Sequence, residues 1–131
     1  MPKTRNTIST NNAPAAIGPY SQGITFGDLV FTAGQIPVNP ASGKIEVDSV
    51  AEQTGQALKN LLAVLEAGGS DLNHVLKVTV FMTDLGCFAE MNEVYGRFFT
   101  DAPPARSAFQ VSALPLGSKV EIEAIAARSN E

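Results

Sequence analysis

At 131 residues, with 44% hydrophobic and 17% charged side chains, the chain has the size and composition of one globular domain that buries roughly two-thirds of its unfolded surface. No apolar run approaches the ~18 residues that a membrane span requires, so a soluble protein is expected. Nine basic against thirteen acidic residues give a net charge of −4, which repels phosphate backbones at long range unless basic groups cluster, and the sequence contains no such cluster.

The single cysteine, Cys87, excludes an intrachain disulfide, and with one histidine, His74, the soft-ligand set is too small for a structural zinc site. A reducing compartment, the cytoplasm, is expected. Lys3 and Arg5 precede the first acidic residue, Asp28, as in some transit peptides, which makes a mitochondrial location the alternative for a eukaryotic host.

In chain order, residues 1–7 read as a partly mobile tail, with Thr7-Ile8-Ser9 able to form a short edge strand before Ala13-Pro14 breaks it. Residues 16–23 then set two glycines around Pro19, a turn signal that presents Tyr20 beside a flexible backbone. Tyr20 is either a hydrogen-bonding site residue or a phenol half buried at a loop. Ile24-Thr25-Phe26 and Leu29-Val30-Phe31-Thr32-Ala33 flank Gly27-Asp28 as a β-hairpin. The second strand runs into Gly34-Gln35 and a turn-rich loop over residues 36–43, where Gly34 is either punctuation or a place for a ligand to approach the backbone.

Ser49-Val50-Ala51-Glu52 matches a capping box, and Gly68-Gly69 ends the helix that it opens. Its apolar stripe runs through Ala51, Thr54, Leu58, Leu61, Leu62 and Leu65, with Gln53 and Asn60 mostly elsewhere. His74 reads as a surface residue opening a sheet-centre strand over residues 75–82. A second helix is expected between Asp84 and Asp101, with Phe88, Met91, Tyr95, Phe98 and Phe99 at helical spacing and Pro103-Pro104 beyond it. Asn92 lies at the edge of that aromatic face and needs a partner, from backbone or from a ligand. Cys87, near the helix start, reads chiefly as a small buried hydrophobe, the alternative being a thiol of lowered pKa.

Arg106 enters a predominantly apolar strand, and alternation places it with Ala108 and Gln110 on the less apolar face. Its planar guanidinium can hold a carboxylate through two parallel hydrogen bonds, which suggests an anchor for a small acid, the bland reading being a structural ion pair. The last strand, residues 119–127, puts Val120, Ile122, Ala124 and Ala126 on one face and Glu121 and Glu123 on the other. If residues 114–118 close a hairpin in which Ala113 pairs Lys119, Arg106 falls opposite Ala126 and Glu121 opposite Val111. That separates them by roughly 17 Å along the ladder, too far for direct pairing. Either the register differs or a site using both is completed by another chain.

Four separated motifs, residues 13–22, Thr32-Ala33-Gly34-Gln35-Ile36-Pro37, Pro104-Ala105-Arg106-Ser107 and residues 120–126, together resemble the RidA family, also called the YjgF family of reactive-intermediate deaminases. The resemblance runs from about Ile8 to Arg128. It implies one domain over residues 1–131 with an α+β, chorismate-mutase-like fold, a mixed sheet of about six strands with two helices packed on one face, and a homotrimer with sites between subunits. It further implies hydrolysis of 2-imino and 2-enamino acids, such as 2-aminoacrylate and 2-aminocrotonate released by pyridoxal-phosphate-dependent dehydratases, to 2-oxo acids and ammonia, with no metal or organic cofactor. By this resemblance Arg106 grips the substrate carboxylate, Glu121 orients the attacking water, and Tyr20, the backbone at Gly34 and Asn92 line the cleft. Ala33 stands where serine is common in bacterial members and Ala108 where cysteine is common, so substrate preference or rate is expected to differ. The rival readings are a 2-oxo-acid-binding regulatory module without turnover and an RNA-directed translation inhibitor, the latter disfavoured by the charge.

Overall fold

A computed structural model describes residues 3–129. Eight strands and two helices follow one another as β1 (Arg5–Ile8), β2 (Gly23–Phe26), β3 (Leu29–Thr32), β4 (Val38–Asn39), β5 (Lys44–Ile45), α1 (Val50–Ala67), β6 (Val75–Met82), α2 (Phe88–Phe98), β7 (Ala105–Gln110) and β8 (Val120–Ala127). Six of the strands form one mixed sheet in the order β1-β2-β3-β8-β6-β7, and β4 and β5 make a separate two-stranded hairpin. All neighbours in the large sheet are antiparallel except β6 and β7. This is the expected α+β architecture, with both helices on one face. Among the described residues no helix is long and apolar enough to cross a membrane.

Local chemistry accounts for the elements. Gly27 adopts φ +59° at the β2–β3 turn, a left-handed value that glycine tolerates, and Phe26 pairs Leu29 across it. At α1 the capping box forms in full: Ser49 Oγ accepts from the Glu52 N–H at 3.1 Å, and Glu52 Oε1 accepts from the Ser49 N–H at 3.3 Å. Leu58, Leu61, Val64 and Leu65 of α1 and Met91 and Tyr95 of α2 are buried against Val30, Val78, Val80, Met82, Val120, Ile122, Ala124 and Ala126 of the sheet.

The polar residues of α1 depart from expectation. Gln53 and Asn60 are buried, whereas Ala51 and Leu62 are only partly so. Asn60 Nδ2 donates to the carbonyls of Ile36 and Val38, at 3.0 and 2.8 Å, and Gln53 Oε1 accepts from the Lys119 N–H at 2.8 Å. These amides fasten backbone outside the six-stranded sheet, at the start of the β4–β5 hairpin and just before β8, which is why they face inward. Residues 36–43 include β4, which pairs with β5 beyond that loop. Of the expected tail, residues 1 and 2 lie outside the described part, and β1 begins at Arg5, two residues before the edge strand read from the sequence.

The expected hairpin of the Arg106 strand with the last strand does not form. β7 pairs parallel to β6, with Val78 opposite Arg106 and Val80 opposite Ala108, while β8 pairs antiparallel to the other side of β6. The segment between β7 and β8 crosses the end of β6, where the Val111 N–H donates to the Met82 carbonyl and the Thr83 N–H to the Lys119 carbonyl. The helix-facing residues Val78, Val80 and Met82 of β6 are fully buried, so β6 takes the interior slot. β7 carries Arg106 and Gln110 on its helix-facing side and lies at the sheet edge, where polar groups reach water.

Candidate functional site

Residues directly opposite in a ladder share a face. Arg106, opposite buried Val78, is therefore on the helix-covered side, as is Ala108. Glu121 lies opposite Phe81 and shares with Glu123, Phe31, Phe109 and Ile125 the face that no helix covers. The two principal candidates stand on opposite faces of one sheet, so neither register nor loop conformation can pair them within a single chain.

The expected residues fall into three groups. In the first, the half-buried Arg106 reaches from β7 to α2, where its Nη1 donates to Asn92 Oδ1 at 2.7 Å. The partner that Asn92 requires is thus this guanidinium. Arg106 Cζ also lies 4.7 Å from the centre of the Tyr95 ring and 5.3 Å from that of Phe88. The ion pairs among the described residues are His74–Asp71, Arg97–Glu93 and Lys119–Asp48, so no carboxylate described in this chain pairs with Arg106. Ala108, the next residue on that face, packs against the core. Gln110 ties the strand end to the turn before α2, its Oε1 accepting from the Leu85 N–H at 2.8 Å.

In the second group, the Glu121 carboxylate lies against the backbone of Gly34. A Cβ on Gly34 would overlap Glu121 Oε2 and stand 2.7 Å from Glu121 Cδ. The contact is held by a reciprocal backbone bridge between Gln35 and Ile122, at 2.8 and 3.0 Å, with Ala33 alongside, its N–H donating to the Gln22 carbonyl. Burial, and secondly the charge of Glu123, push the Glu121 carboxyl above the ordinary glutamate range.

Tyr20 forms the third group. It is 51% exposed, and its hydroxyl accepts a long hydrogen bond from the Ile17 N–H at 3.4 Å. It borders a recess of about 370 Å³ lined also by Thr7, Ser9, Ala15 and Gln22. Buried Gln22 organises this loop, accepting from the Thr10 N–H at 2.7 Å and donating to the carbonyls of Thr10, Ala13 and Pro14. The sequence alone gives Gln22 no role and marks Phe88 and Tyr95 only as members of an aromatic helix face. The spacing Phe88, Asn92, Tyr95 was the available signal, since it places both rings and the amide on one helix face.

His74 is a surface residue 2.7 Å from Asp71, and Cys87 packs partly against the core with its thiol 3.9 Å from Asp84 Oδ2. Among the described residues no three His, Cys, Asp or Glu side chains converge as for a metal ion. The arrangement can present a cation to an acid on one face and a carboxyl of raised pKa on the other.

An α+β domain with its arginine held by neutral groups at a sheet edge is the class that this fold and site define. The family model described as endoribonuclease L-PSP matches residues 10–128, and the chain belongs to this family, the RidA/YjgF/RutC family. A RutC family protein of Sinorhizobium fredii is 53% identical over 118 residues, 90% of this chain and 94% of the relative. The protein named 2-iminobutanoate/2-iminopropanoate deaminase in Escherichia coli K12 is 50% identical over 125 residues, 93% of this chain and 97% of the relative. The crystal structure of E. coli TdcF with bound serine superposes with a TM-score of 0.90 at 49% identity, covering 95% of this chain and 99% of that one.

Proposed function

We propose that this protein hydrolyses short 2-imino acids and their enamine tautomers, 2-aminoacrylate and 2-aminocrotonate among them, to 2-oxo acids and ammonia. The observation that carries the reading is Arg106, a half-buried guanidinium that meets an amide and two rings and pairs with no described carboxylate of its own chain. A cation so placed retains N–H donors for the carboxylate of a small acid. The deaminase name of the E. coli relative, and the serine bound to TdcF, itself a small carboxylate, point the same way.

The imine carbon is already electrophilic, so the reaction needs positioned water and a proton relay rather than an activated cofactor. Water adds to C2 as Glu121 takes its proton, the nitrogen is protonated, and collapse of the carbinolamine expels ammonia and leaves the 2-oxo acid. The elevated pKa of Glu121 brings the group closer to the pH at which it must both accept and return a proton. Tyr20, the Gly34 backbone and Asn92 line the cleft, with Ala33 and Ala108 leaving it short of side-chain polar groups.

Because Arg106 and Glu121 lie on opposite faces, a cleft using both takes them from two chains, and a homotrimer supplies three such clefts. The helix-free face supports this assembly, with Phe109 52% and Ile125 36% exposed in the isolated chain. A solution mass of three chains is the expected outcome of light scattering. A cytoplasmic location belongs to the same reading. The RNA-cleaving sense of the family description is not carried to this chain, whose net charge is −4.

The test is release of ammonia and 2-oxo acid when purified protein is added to a dehydratase generating 2-aminoacrylate, with Arg106→Ala alongside. Acceleration by the wild type alone supports the deaminase and its anchor together. No acceleration, with Arg106-dependent binding of 2-oxo acids, would overturn turnover in favour of a sensing role.

A further inference from the structure

We infer that Phe88 and Tyr95 are positioning residues, an aromatic clamp that fixes the Arg106 guanidinium without neutralising it and so sets the affinity for the substrate carboxylate. This rests on the anchor role of Arg106 proposed above.

A half-buried guanidinium can be held by a carboxylate, by backbone carbonyls, or by neutral π-faces and amides. The first would compete with an incoming acid for the same N–H edge, and the second would consume that edge. Rings act through their faces instead, attracting the cation electrostatically. Arg106 Cζ is 4.7 Å from one ring centre and 5.3 Å from the other, both inside the ~6 Å reach of this interaction. The one side-chain hydrogen bond, to Asn92, takes a single donor of the five that a guanidinium carries.

The clamp is built on one helix face, at positions 88, 92 and 95, and its parts are themselves fixed. Tyr95 is 6% exposed and lies 4.7 Å, centre to centre, from the Phe99 ring. Its hydroxyl is buried and makes no hydrogen bond to any described residue, so its contact with Arg106 is through the ring. Phe88 sits at the rim of the core, partly buried, where shape alone asks little of an aromatic residue. The Gln110–Leu85 hydrogen bond sets the distance between β7 and the start of α2.

The experiment is calorimetric titration of 2-oxobutanoate into the wild type, Phe88→Leu and Tyr95→Leu, together with the Arg106 Nε–Hε resonance in arginine-labelled protein. Each leucine variant is expected to bind roughly fivefold more weakly, and the resonance, displaced by the currents of two rings, should move on removal of either. Tyr95→Phe should recover affinity to within about twofold, because the ring is what acts. If Tyr95→Leu does not fold, Phe88→Leu at the rim decides. A folded Phe88→Leu variant with unchanged affinity, or with an unmoved Arg106 resonance, overturns the clamp even if its melting point has dropped. Absence of imine turnover in the wild type would defeat the deaminase reading while leaving this binding test intact. Arg106-independent binding of 2-oxobutanoate, or none, would defeat the anchor and the clamp with it.

Discussion

Replacing Gly34 by alanine separates the chemistry of Glu121 from the stability of the fold. The backbone at Gly34 is not in the left-handed region, so alanine meets no conformational obstacle there. Its Cβ, however, would occupy the place of Glu121 Oε2 and stand 2.7 Å from Glu121 Cδ. The carboxylate is the far end of a flexible side chain and can swing aside, at roughly 0.5–1.5 kcal/mol if it is forced about 30° from its preferred rotamer. The melting temperature should therefore fall by only about 2–5 °C. A reacting group displaced by about 1 Å can lose on the order of a hundredfold in rate, so Gly34→Ala should turn over 2-aminoacrylate roughly a hundred times more slowly. The assay is 2-oxo acid release from a dehydratase-coupled imine supply, run beside thermal melts and 2-oxobutanoate binding. Turnover within about threefold of the wild type in a folded variant would refute the claim that Glu121 acts from beside Gly34.

Arg106→Lys should melt close to the wild type but lose most of its affinity for 2-oxobutanoate, because an ammonium cannot reproduce the bidentate geometry; calorimetry checks this. Glu121 has a raised native pKa, so between the ordinary glutamate value and that raised value the native state holds more protons than the unfolded one. Its contribution to stability is thus fully present below the ordinary value and is lost as pH rises through the raised one. Urea midpoints measured from about pH 4 to 8 should show this decline, and Glu121→Gln should flatten it while slowing hydrolysis and sparing 2-oxo acid binding. Asn60→Leu removes the buried amide that donates to the Ile36 and Val38 carbonyls, of which Ile36 keeps only its Val38 N–H, and should cost roughly 1–3 kcal/mol, seen as a lower urea midpoint at unchanged slope.

The sequence disclosed best what is decided locally. Ser49 and Glu52 announce α1 because a capping box is satisfied by residues three apart, and Gly27-Asp28 announces its hairpin for the same reason. Pairing decided over distance was not visible. Residues 114–118, rich in turn formers, look like a hairpin loop, yet with their neighbours they carry the chain across the end of β6, because the slot beside β8 goes to a strand with a buried apolar face. Gln53 and Asn60 look like solvent positions by residue type, and only the placement of residues 36–38 and 119 shows what their amides must satisfy. At the site, Arg106 was legible as a charge in need of company and Asn92 as an amide in need of a partner. That each answers the other depends on α2 crossing over to β7, a tertiary fact. Glu121 could be placed on a face, but the opposition of that face to Arg106 follows only once β6 is known to lie between their strands.

The strand that joins the two halves of the sheet, β8, is the last of the strands and α-helices in chain order among the described residues. Until it emerges during synthesis, β3 and β6 each present an open edge to a gap one strand wide, and a contact such as the Ala124 N–H to Thr32 Oγ1 spans 92 positions of sequence. Sheet closure is therefore a late, non-local event, of the kind that slows folding and leaves edges open to wrong partners. A nascent chain stopped before Val120 would hold two separate β-layers competing for any extended segment nearby.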